Sequence, residues 1–100
     1  MSVSITTDLE LHEITIAVAG HFDFRLVSDF RRAYDAIENP KKVTVDFEHT
    51  DYIDSSGLGI LIYLRKHFNC SKDSIFLINT SSDINRTFRI ARFNKLFQIS

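Results

Sequence analysis

The sequence predicts a single α/β domain. It has an N-terminal β-hairpin followed by alternating helices and strands, forming a mixed, mostly parallel sheet with its helices largely on one face. Three observations carry this expectation. Apolar residues alternate with polar ones near the start, then switch repeatedly between strand-like runs and the three-and-four spacing of helices. After the opening pair, each strand is separated from the next by a helical pattern, and such crossovers join parallel neighbours. One hundred residues suffice for one core and are too few for two.

The elements follow in order. Residues 3–9 alternate apolar and polar side chains, as a half-buried strand does. Residues 14–19 (Ile-Thr-Ile-Ala-Val-Ala) form a second strand, ended by Gly20, and residues 10–13 are short enough for a hairpin. Leu26, Val27, Phe30, Ala33, Tyr34 and Ile37 recur at helical spacing. Asn39-Pro40 stops that helix, because proline disfavours helical geometry in the residue before it. Residues 43–47 (Val-Thr-Val-Asp-Phe) are a short β-branched strand, and a loop leads on to residue 54. Leu58, Leu61, Ile62, Arg65 and Phe68 continue as a second helix. Residues 74–78 (Ser-Ile-Phe-Leu-Ile) resemble strands buried on both faces. Thr80-Ser81-Ser82-Asp83 caps a third helix bearing Ile84, Phe88 and Ala91 on one side, and residues 96–99 add a last short strand. Right-handed crossovers between strands laid side by side place the helices on one face.

Composition narrows the function. Hydrophobic residues make up 44% and charged residues 25%, the range of an ordinary globular domain. Twelve basic and thirteen acidic side chains leave a formal net charge of -1, so no broad field steers the chain to nucleic acid or anionic lipid. The single cysteine, Cys70, cannot close an internal disulfide, which fits a reducing compartment. No signal peptide and no apolar run of about 20 residues are present, so a cytoplasmic protein is expected. The four histidines fall at no ligand spacing, and neither a metal nor a cofactor is expected. Arg86, Arg89 and Arg92 form a basic stripe that reads as a solvated helix face. Neither a nucleophile elbow nor a phosphate-binding loop occurs, so catalysis is not expected.

The informative stretch is residues 43–64, above all Asp54-Ser55-Ser56-Gly57-Leu58-Gly59. A helix's first turn carries unpaired N–H groups and the positive end of the dipole, which suits an anion. Asp54 or Ser55 can serve as the N-cap. Gly57 and Gly59 each cost the helix about 1 kcal/mol relative to alanine, and that cost suggests a use: close approach by a partner. The same residues also read as a plain cap with glycines placed for tight packing.

The whole chain resembles the STAS domain family, and within it the bacterial anti-sigma factor antagonists. Gly20-His21-Phe22-Asp23 is similar to the family's turn before the first helix, and residues 43–47 to its hydrophobic-aspartate strand. Ile53-Asp54-Ser55-Ser56-Gly57-Leu58-Gly59 matches the family's phosphorylation motif. The resemblance implies that Ser55 is phosphorylated by an anti-sigma factor of the serine-protein-kinase type. It further implies that the unphosphorylated form binds this partner, that phosphorylation releases it, and that a PP2C-type phosphatase resets the switch. Asp23, Asp54, Ser56, Gly57, Leu58 and Gly59 are then the supporting and partner-binding residues. Asp54 orients the hydroxyl or simply caps the helix; Asp23 joins the site or caps the first helix. No direct contact with nucleic acid or membrane is implied. STAS domains also serve as structural subunits of lipid or anion transport assemblies, the alternative reading.

Overall fold

A computed structural model describes residues 2–8, 10–35, 37, 40–68 and 74–100. The elements are β1 (Ser2–Asp8), β2 (Glu13–Phe22), a 3-10 turn (Phe24–Leu26), α1 (Val27–Asp35), β3 (Lys42–Ile53), α2 (Ser55–Phe68), β4 (Ile75–Ile78), α3 (Ser82–Ile90), a second 3-10 turn (Phe93–Lys95) and β5 (Gln98–Ile99). Strands stand side by side in chain order, β1-β2-β3-β4-β5. The first pair is antiparallel and every later pair parallel. The α/β class, the opening hairpin and the mostly parallel sheet are thus as the sequence predicts. The connection at residues 69–73, which holds Cys70, lies outside the described residues, as do Leu9 and Asn39.

All three helices cover one face of the sheet. Ile14, Ile16 and Val18 of β2, Val43, Val45 and Phe47 of β3, and Ile75 and Leu77 of β4 point the same way. They meet Phe30 and Tyr34 of α1, Leu61 and Leu64 of α2, and Ile84 and Phe88 of α3 in one core. Much of it is phenylalanine: Phe22 stacks on Phe30 and Phe47 at 5.3 and 5.9 Å, Phe47 meets Phe88 edge-on, and Phe88 stacks on Phe93. Offset and edge-on pairs of this kind add to simple area burial.

Among the described residues the opposite face carries no helix, which corrects the reading of β4 as buried on both sides. Phe76 and Ile78 are only partly covered, beside Thr44 and Asp46 of β3. Lys42 lays its ammonium 4.7 Å from the Phe76 ring centre, shielding that ring from water. An apolar run of four residues cannot by itself distinguish one covered face from two.

Two further expectations are corrected. Gly20 does not end β2, which runs on to Phe22, and β3 is no short strand, because it extends to Ile53. The register between them slips twice, between Ala17 and Ala19 and between Gly20 and His21, where β3 carries the extra residue each time. Each such bulge bends the strand and breaks its period of two. Hence Phe47, Thr50 and Ile53 are buried at intervals of three, a spacing that does not read as a strand. Gly20 takes φ 87°, which glycine adopts freely. The buried Thr50 hydroxyl donates to the Val18 carbonyl at 2.7 Å, satisfying an acceptor beside the slip. The third basic residue of the stripe is also displaced: α3 ends at Ile90, and Arg92 follows it in the left-handed region at φ 61°.

Candidate functional site

Backbone contact between two segments builds the site. The Asp54 N–H donates to the Phe22 carbonyl at 3.4 Å, joining the start of α2 to the end of β2. A Cβ built on Gly57 would lie 2.4 Å from that same oxygen and 2.8 Å from Ile53 Cγ1. Only glycine allows so close an approach. At Gly59 nothing lies within 4 Å of where a Cβ would stand, so no packing inside the domain demands a glycine there. The two glycines of the motif have different causes.

Asp54 is the N-cap. Its Oδ1 accepts from the Ser56 N–H at 3.0 Å, from the Gly57 N–H at 3.1 Å and from the Ser56 hydroxyl at 2.6 Å. Its carbonyl takes the first intrahelical bond, from the Leu58 N–H at 3.1 Å. These donors hold its carboxyl below the usual carboxylate range, the Ser56 hydroxyl first among them. With the cap supplied by Asp54 and the Ser56 hydroxyl committed to it, Ser55 is left over. Ser55 is exposed at the first position of α2, and its hydroxyl bonds to no described residue.

Asp23 closes the neighbouring turn. Its Oδ1 caps the 3-10 segment by accepting from the Arg25 N–H at 3.0 Å. Arg25 also grips the carboxylate through its side chain, with Nη2 2.6 Å from Oδ2 and Nε 3.0 Å from Oδ1. That hydrogen bonding pulls the Asp23 carboxyl down to about 2, although partial burial opposes it. The charge of Asp54 is felt at Arg25, and that of Asp23 at Asp54. Asp23 is therefore at once a cap and a member of the corner that holds Ser55.

The remaining predicted residues divide by exposure. Gly57 is buried, Leu58 packs against the core, and Gly59 is open to solvent. Ser55, Gly59 and Tyr63 make one exposed stripe at helical spacing along α2. Sequence reasoning missed Arg25, and also Phe24, which is 68% exposed on the turn before α1. The Asp-Phe-Arg order at 23–25 was the available signal: an acid and a base two residues apart. Among the described residues, no group of His, Cys, Asp and Glu side chains is placed to hold a metal. No described helix is long and apolar enough to cross a membrane.

Comparison with known proteins decides the family. The STAS domain profile matches residues 4–100. The chain belongs to the STAS domain family. A STAS-domain containing protein of Pseudomonas aeruginosa is 36% identical over 101 residues, the full length of both chains. An anti-sigma-B factor antagonist of Staphylococcus aureus is 22% identical, aligned over all of this chain and 93% of its own. Among solved structures, the Bacillus anti-sigma factor antagonist SpoIIAA in its unphosphorylated form superposes with a TM-score of 0.72 at 15% identity. That match covers 99% of this chain and 87% of SpoIIAA, and it shows that the STAS fold is shared.

Proposed function

We propose that this STAS domain is a phosphorylation-controlled binding module of the anti-sigma factor antagonist type, with Ser55 as its phosphoacceptor. One observation carries the reading: within a motif of two serines, Asp54 ties up the Ser56 hydroxyl and leaves Ser55 exposed, its hydroxyl bonded to no described residue. A visiting kinase needs a hydroxyl that no internal bond holds back. The relatives named as anti-sigma factor antagonists, and a SpoIIAA structure described as phosphorylated, support it.

A phosphate adds about -1.5 to -2 charges, against a formal net charge of -1 for the whole chain. At the N-terminus of α2 it meets the positive end of the dipole, worth about 0.3–1 kcal/mol, so the fold tolerates it. The effect falls on the docking surface. Exposed Phe24 and Val27, the open position at Gly59 and Tyr63 offer apolar contact on the turn, α1 and α2. A dianion there must be desolvated, or repels acids on the partner, before those contacts form. The unmodified form binds an anti-sigma factor with serine-kinase activity, phosphorylation releases it, and a PP2C-type phosphatase restores binding.

The test is incubation with candidate anti-sigma kinases and ATP, followed by pull-down. Wild-type protein is labelled at Ser55 and then loses its partner. Ser55→Ala is unlabelled yet still binds, and Ser55→Asp binds more weakly. Label persisting on Ser55→Ala refutes the assignment.

A further inference from the structure

We infer that Arg25 is the internal cation that receives the phosphate on Ser55, exchanging its grip on Asp23 for the new dianion. The inference rests on Ser55 being the modified residue, and adds a response of the domain itself. Phosphorylation then redirects the Arg25 side chain on the turn before α1, and does more than place charge on a fixed surface.

Four observations converge. The turn and the start of α2 touch through backbone, at the Asp54–Phe22 hydrogen bond and at Gly57. The Arg25 guanidinium is held on Asp23 of that turn, and the charge of Asp54, the residue next to Ser55, is felt there. The Arg25 side chain is 48% exposed and bound to the Asp23 carboxylate. Finally, residues 1–24 and 43–64 contain no lysine or arginine, so Arg25 is the sole such cation that the two segments and the turn itself contribute.

The competition is uneven. Before modification, Arg25 serves two carboxylates: it is bound to Asp23 and attracted by Asp54. A phosphoserine brings up to two charges and three acceptor oxygens, against one charge and two oxygens on Asp23. A planar guanidinium pairs with phosphate through two parallel hydrogen bonds, which favours the transfer. Asp23 keeps the Arg25 backbone N–H, so the cap survives while its side-chain partner leaves.

The test uses the full chain with phosphoserine inserted at position 55 during translation, so it runs whether or not any kinase acts there. Phosphorus NMR follows the second ionisation of the phosphate in the wild-type background, in Arg25→Lys and in Arg25→Gln. We expect it in wild type at least about half a pH unit below that in Arg25→Gln, with Arg25→Lys between them. Asp23, Asp54 and His21 are present in all three proteins, but substituting Arg25 leaves Asp23 unpaired, so the titrations are read together with a signal from the wild-type side chain. In wild type, the Arg25 Nε–H resonance also shifts when phosphoserine replaces serine, a readout that needs no substitution at Arg25. Coincident titrations, or an unmoved Nε–H signal, overturn the inference. Failure of the kinase assay alone would instead sink the reading of Ser55.

Discussion

Replacing Gly57 and Gly59 separately by alanine gives opposite results, although the two stand about half a turn apart in the same motif. At Gly57 the added methyl meets the Phe22 carbonyl at 2.4 Å and Ile53 Cγ1 at 2.8 Å. Alanine recovers about 1 kcal/mol of helix propensity. Overpacking typically costs about 1–3 kcal/mol, and a carbonyl at a strand end that also accepts the Asp54 N–H cannot swing aside, which puts the cost at the upper limit. The net is a loss of about 2 kcal/mol, or roughly 8–16 °C in Tm for a domain of this size. At Gly59 there is no clash, so the propensity gain stands alone, and Tm rises by roughly 2–8 °C. Thermal unfolding followed by circular dichroism measures both. Gly57→Ala as stable as wild type, or Gly59→Ala less stable, would refute the division of roles. In binding the order reverses: Gly59→Leu keeps the fold and blocks the partner.

Three further outcomes follow from the site and its support. Asp54→Ala strips the cap from three donors and lowers Tm by several degrees, whereas Asp54→Asn recovers most of the loss; equal melting of the two would remove Asp54 as the cap. Asp23 has its carboxyl lowered to about 2 by Arg25, so its contribution is fully present above the unfolded value near 3.9 and is lost as pH falls toward 2. Urea unfolding from pH 5 to 2 therefore shows a shallower acid decline in Asp23→Asn than in wild type, and parallel curves would contradict it. Thr50→Val leaves the buried Val18 carbonyl without its hydroxyl donor at a cost of about 1–3 kcal/mol, read as a lower urea midpoint with an unchanged slope.

The element types were legible in the sequence because they depend on local periodicity. Leu26, Phe30 and Tyr34 lie on the buried side, and Ile14, Ile16 and Val18 alternate as expected. The capping motif at residues 54–59 was legible too, since an N-cap needs only its own next three residues. What failed to show was whatever two segments decide together. The second half of β3 is hidden because bulges against β2 replace the period of two, and β4 looks doubly buried because an apolar run does not count its neighbours. Arg25 pairs with Asp23 two residues before it, a local signal, but its place beside the start of α2 comes only from the packed fold. The two glycines look alike as letters, yet one is fixed by the Phe22 carbonyl and the other by nothing inside the domain. Sequence alone therefore determined the type and order of the elements and which serines begin α2. Tertiary structure alone decided what surrounds that helix start, the Phe22 carbonyl against Gly57 and the turn of Asp23 and Arg25 beside it, because burial and close approach exist only once distant parts of the chain are packed.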